Sequence, residues 1–215
     1  MKTHLIIALV LVSTFTFAQN SEESFKISKN QWIVGGVVSF NSQQFEDDYE
    51  LYSSNIKRNS FSIKPDLGYV INDNLIIGVM PGFNIYNSKT INPSNSNEFK
   101  SLGYSITPYV RKYVSIGKNF AFNLQGEVSY AFLNEDQYAD NSSNATKGSE
   151  KSFFIGLRPG LTYGLSQKVL INTNIGAIGY SHLKRDYEIG SDSKGNTFNV
   201  GLGTSNLYFG VLLIL

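Results

Sequence analysis

One pattern runs through nearly the whole chain: apolar and polar residues alternate. In Phe61-Ser62-Ile63-Lys64-Pro65-Asp66-Leu67-Gly68-Tyr69 every odd position is apolar and every even one is polar or small. A strand points successive side chains to opposite faces, so such a segment makes a surface greasy on one side and wet on the other. Eight such segments occupy residues 31 to the chain end. The connections between them run long, short, long, short, long, short, long. An even number of strands with that turn rhythm predicts a closed antiparallel barrel with its short turns at one rim and its long loops at the other.

The segments read as 31–41, 60–71, 75–86, 100–113, 120–133, 151–165, 169–181 and a last one reaching Leu215. Short turns are expected at 72–74, 115–119 and 166–168, the first being Asn72-Asp73-Asn74, residues that tolerate left-handed backbone. Long polar loops are expected at 42–59, 87–99, 134–150 and 182–196. In the last segment Phe198, Val200 and Leu202 have the opposite parity to Leu207, Phe209, Val211, Leu213 and Leu215. A strand changes face only through an extra residue, so a bulge or break is expected near 203–206. Pro65, Pro81, Pro108 and Pro159 interrupt otherwise good strands. Each removes a ladder hydrogen bond that a closed barrel, having no edge, has to forgo or bend around.

The first 18 residues read as an export signal. A basic start, Met1-Lys2-Thr3-His4, precedes an apolar stretch, Leu5 to Phe17, too short to span a bilayer as a helix. Cleavage after Ala18 is expected, leaving residues 19–30 as a polar, unpatterned tail and 31–215 as the barrel. No cysteine is present, so lipoprotein anchoring, disulfides and cysteine metal sites are excluded. The formal net charge of +1 gives no nucleic-acid footprint. Charged residues make up 16%, below the roughly 25% typical of soluble domains.

Alternation alone also fits a soluble lipocalin-like binding barrel, with apolar side chains inward. Three features favour a membrane. The polar faces carry Gly, Ser, Thr and Asn rather than the dense charge of a soluble surface. Aromatics gather at both ends of the apolar band: Trp32, Tyr69, Phe120 and Tyr163 toward the short turns, Phe40, Phe61, Phe83, Phe132 and Phe153 toward the long loops. Such paired girdles mark the two interfaces of a transmembrane barrel. Short and long connections also segregate by side, as periplasmic turns and extracellular loops do.

On Gly-Leu-Arg-Pro-Gly-Leu-Thr-Tyr (156–163), Ile-Gly-Ala-Ile-Gly-Tyr (175–180) and the strand running to the C-terminus, the chain resembles the small eight-stranded outer-membrane barrels of the OmpA/OmpX type, often termed porin-like. The resemblance spans about 31–215. It implies the outer membrane of a Gram-negative bacterium, contact with its lipids and lipopolysaccharide, insertion by the β-barrel assembly machinery, and a monomer whose loops meet an external partner. Such barrels usually end in an aromatic residue; here the last residue is Leu215, with Phe209 the nearest aromatic. No peptidoglycan-binding segment follows, so a wall anchor is not expected.

Candidate chemistry is sparse, and no cofactor or metal is expected. The lone histidine after the leader, His182, follows Ser181, with Asp186 and Glu188 nearby; a solvated loop explains it better than a Ser–His–acid triad. Glu46-Asp47-Asp48 lacks the spacing of a calcium loop. Asn141 and Asn144 begin sequons that matter mainly in eukaryotic secretion. The informative charges are Lys64, Asp66, Arg111, Glu127 and Arg158, all at lumen-facing positions. Eight strands leave room only for their own side chains, and charges so confined must pair. Arg158 is expected to meet Glu127, Asp66 or both. These observations point to a non-enzymatic outer-membrane barrel with a filled lumen, in a structural or surface-interaction role. The alternatives are a narrow small-solute channel, a lipid A-modifying barrel enzyme and the soluble binding barrel.

Overall fold

A computed structural model describes residues 24–49, 52–92, 95–139, 146–188, 192–202 and 208–215. The leader, Leu207, Asn141 and Asn144 lie outside these residues, as do the side chains of Asp47 and Asp48. The described residues contain no helix. The strands are β1 (Trp32–Tyr49), β2 (Tyr52–Asn72), β3 (Leu75–Ile91), β4 (Ser96–Ser115), β5 (Phe120–Ala139), β6 (Thr146–Gly164), β7 (Val169–Asn174), β8 (Gly176–Tyr187), β9 (Ser193–Leu202) and β10 (Tyr208–Ile214). Sequential neighbours pair antiparallel, and β1 closes on β10. β7 with β8 forms one interrupted strand, and β9 and β10 make up the eighth. The result is a closed eight-stranded antiparallel barrel.

The interruption between β7 and β8 has a local cause. Between Gly160↔Asn174 and Leu157↔Ile178, three residues of the seventh strand face two of β6, Arg158 and Pro159. The seventh segment, expected to be continuous over 169–181, therefore carries a one-residue bulge at Ile175–Ala177. Pro159 has no N–H to hold that register, although its carbonyl still accepts from Ile175 N–H at 3.0 Å. Gly176 absorbs the bend at φ 144°. The bulge or break expected near 203–206 lies outside the described residues. At the other prolines the ladder skips without slipping. β2 and β3 lose pairing between Ile63↔Phe83 and Leu67↔Val79, where Pro65 stands across from Pro81. β4 and β5 do so beside Pro108.

The short turns fall where expected, and Asn74 takes the left-handed conformation at φ 60°. The long loops do not. Residues 42–59 pair on from Asn41↔Ser60 to Tyr49↔Tyr52. The other three long connections are likewise hairpins drawn out beyond the apolar band. Alternation marks where a strand meets lipid; above that level both faces meet water and the pattern vanishes while the backbone keeps pairing.

The tail is a second correction. Phe25 and Ile27 are buried beneath the barrel at the short-turn rim. Phe25 stacks on Tyr113 at 5.8 Å and donates its N–H to Gly117 O; Ile27 N–H donates to Asn74 Oδ1 and its carbonyl accepts from Asn74 N–H. Two apolar residues in a short polar segment gave no periodicity to read. With Ile33, Val70, Ile76, Tyr113, Leu170, Leu212 and Ile214 they form an apolar floor.

Outside, the apolar face meets the surroundings: Leu124, Ile155, Leu157 and Leu161 are exposed, while their neighbours Asn123, Gln125 and Thr162 are buried in the lumen. Trp32 stacks on Tyr69 at 5.1 Å and Phe120 on Tyr163 at 4.7 Å near the short turns. Toward the hairpins the aromatic rows are Phe40↔Phe61, Phe83↔Tyr104↔Phe132 and Tyr130↔Phe153. Each row lies two residues below the last in register, which is how a level belt crosses tilted strands.

Candidate functional site in the barrel lumen

Inward positions of β2, β4, β5 and β6 bring five charged residues into the middle of the lumen. Arg111 Nη2 donates to Asp66 Oδ2 at 2.8 Å, and both side chains are fully buried. Tyr109 Oη donates to the other oxygen, Asp66 Oδ1. Arg111 Nε donates to Gln125 Oε1 at 2.7 Å, Gln125 Nε2 to Glu127 Oε2 at 2.6 Å, and Arg158 Nε to Glu127 Oε1 at 2.7 Å. The chain Tyr109–Asp66–Arg111–Gln125–Glu127–Arg158 thus crosses from β2 to β6 with polar atoms satisfied at each step. The Arg158 side chain remains 32% exposed, against 1% for Glu127. Lys64 shares this space and feels Glu127, Arg158 and Asp66 electrostatically.

Asp66 and Glu127 each have their own arginine, so Arg158 does not reach both carboxylates. One level down, Asn123 Nδ2 donates to Thr162 Oγ1 and Asn172 Oδ1, each at 2.9 Å, and Thr162 Oγ1 donates to Asn172 Oδ1 at 2.6 Å. Below that lies the apolar floor.

Two lumen aromatics were missed by sequence reasoning. Tyr109 lies over Gly68 and Gly78, where an added Cβ would come within 2.7 and 2.5 Å of it. Phe154 lies over Gly156 and Gly179 in the same manner. The rings also face the guanidiniums, Arg111 at 4.5 Å from the Tyr109 centroid and Arg158 at 5.1 Å from that of Phe154. The available signal was a large inward residue level with inward glycines on adjoining strands, which needs the register to be known.

His182 sits within β8 rather than in a loop. Its Nδ1 is 2.7 Å from Asn196 Oδ1, which also accepts from Tyr180 Oη at 2.8 Å. Ser181, the next residue along the strand, points to the opposite face. Asp186 is engaged by Lys184 at 2.5 Å. A Ser–His–acid arrangement is not assembled among these residues.

A closed barrel that is apolar without and hydrogen-bonded within is the build of a protein that crosses a membrane by strands. The chain belongs to the outer membrane protein beta-barrel domain family, whose model matches residues 5–205, and the outer membrane is its place. A search of curated proteins finds no match to it.

Proposed function

We propose that the protein is a non-enzymatic integral outer-membrane barrel whose lumen is plugged, serving a structural or surface-interaction role. The observation that carries this reading is the hydrogen-bonded chain from Tyr109 to Arg158 above an apolar floor. The apolar floor closes the lumen beneath that chain, so no continuous water column reaches the short-turn rim. The leader is removed on export, the short turns face the periplasm, and the four hairpins stand outside, where they meet lipopolysaccharide and an external partner. The barrel works as a monomer inserted by the β-barrel assembly machinery. The test is ionic conductance in planar bilayers, combined with surface labelling of a cysteine placed at Asn92 in whole cells. Purified protein is expected to show no steady conductance, and the label to react from outside. A steady conductance that changes with Glu127→Gln supports the narrow channel instead.

A further inference from the structure

The lumen changes character partway up. At the level of the charged chain, the inward side chains of Thr107, Arg111, Asn123, Gln125 and Glu127 are buried against one another. Higher, toward the hairpins, most inward positions are small and polar: Ser39, Ser62, Ser105, Ser129, Ser152 and Ser181, all half-buried. Gly82 and Ala131 stand among them, in the row Gly82↔Ser105↔Ala131↔Ser152. Eight strands enclose only enough space for their own side chains, so a ring of small ones leaves part of that space unfilled. The upper lumen is a hydroxyl-walled cup with the charged chain as its base.

The base holds a cavity and a surplus charge. About 310 Å³, room for roughly ten waters, is bounded by Ser62, Lys64, Asp66, Glu127 and Arg158 among others. Lys64, Arg111 and Arg158 stand here against Asp66 and Glu127, which leaves one positive charge. The segment 203–207, Gly-Thr-Ser-Asn-Leu, adds none. Arg111 takes Asp66 and Arg158 takes Glu127, so among the described residues Lys64 is left without an ion pair. Arg158 is close enough to repel it. Two neighbouring cations in a confined space, one of them unpaired, favour a compensating anion. Arg158 is bound to Glu127 through Nε, and its partly exposed side chain is within reach of a solute in the cup.

We propose that the cup binds a small hydroxylated carboxylate entering from the hairpin side, its acid group on Lys64 and Arg158 and its hydroxyls against the serine wall. One surplus charge matches a monoanion, whereas a phosphate group at about −1.5 to −2 would overshoot it. The planar guanidinium suits a carboxylate. An alkyl acid would lay apolar surface on hydroxyls that water satisfies better. The site goes beyond the plugged reading and rests on it in one respect: the ligand enters and leaves by the same mouth.

The test uses the full barrel in phosphatidylcholine nanodiscs, titrated with glycerate, glycerol or propionate and followed by the amide resonances of Lys64, Ser105 and Arg158. Glycerate is expected to shift these to saturation while Lys26 and Lys29, at the short-turn rim, stay in place. Glycerol and propionate should bind at least tenfold more weakly, and Lys64→Met should weaken glycerate about tenfold. Absence of a saturable glycerate shift overturns the site, as do glycerol binding as tightly as glycerate and equal shifts at Lys26 and Lys29. Propionate binding as tightly as glycerate overturns the ligand class. The wild-type comparisons hold even if the variant does not fold. The plugged reading fails separately, by a steady glycerate current across a planar bilayer.

Discussion

At the scale of single residues, the two lumen ion pairs differ in what remains when an acid is removed. Arg111 has nowhere to go: Asp66→Asn leaves a guanidinium buried on every side, and about 3–5 kcal/mol of stability should be lost. Arg158 already reaches the open lumen, so Glu127→Gln should cost nearer the worth of a charged hydrogen bond, about 1.5–3 kcal/mol. Urea unfolding followed by Trp32 fluorescence measures both. If Glu127→Gln proves the more damaging, Arg158 is held more tightly than its exposure indicates. The charged residues of the lumen could be picked out from the sequence because parity alone puts them inside. Their partners could not. Which arginine meets which carboxylate depends on stagger between strands, and parity carries no information about stagger.

Among elements, the segment before β1 acts as the barrel's stopper. Phe25→Ala removes a buried ring from the floor and should lower stability by about 3–5 kcal/mol, read by the same unfolding assay. The stopper is tied down by Asp73, which accepts from Lys26 Nζ at 2.9 Å and from Lys29 N–H at 2.9 Å. The Lys26 ammonium first, then the Lys29 amide, hold the Asp73 carboxyl below its usual range. A depressed carboxylate contributes fully above its unfolded value, about 4, and the contribution is lost as pH falls through the lower folded value. The Lys29 amide resonance should therefore shift only at pH below about 4, and Asp73→Asn should abolish the transition. The barrel strands were legible because lipid writes a period of two into each. The stopper and the hairpin extensions were not, since neither has one face in lipid. The bulge at Ile175 was hidden for another reason: Pro159 was visible, but its effect falls on the neighbouring strand.

For the whole molecule, the seam between β1 and β10 is the strand pairing with the fewest residue pairs among the described residues, four. Among the described residues, β1 over Val37–Gln44 is paired with β2 alone, whereas β4 at Ser101–Ser105 is paired with both β3 and β5. Alternate amides of Val37–Gln44 should exchange with solvent deuterium faster than those of Ser101–Ser105, and mass spectrometry of peptic fragments reads the difference. Similar protection of the two segments would mean that β1 finds a second partner.

The drawn-out hairpins impose a rule on how this surface can change. From Asn41 to Tyr49, β1 climbs about 27 Å at strand rise, paired with β2 throughout. Inserting a single residue along that ribbon exchanges its two faces from the insertion upward, turning every side chain presented outward toward the interior. Inserting two leaves the presented face intact and lengthens the ribbon. Drift in the length of these projections should therefore come in even steps along the stems and in any number at the tips.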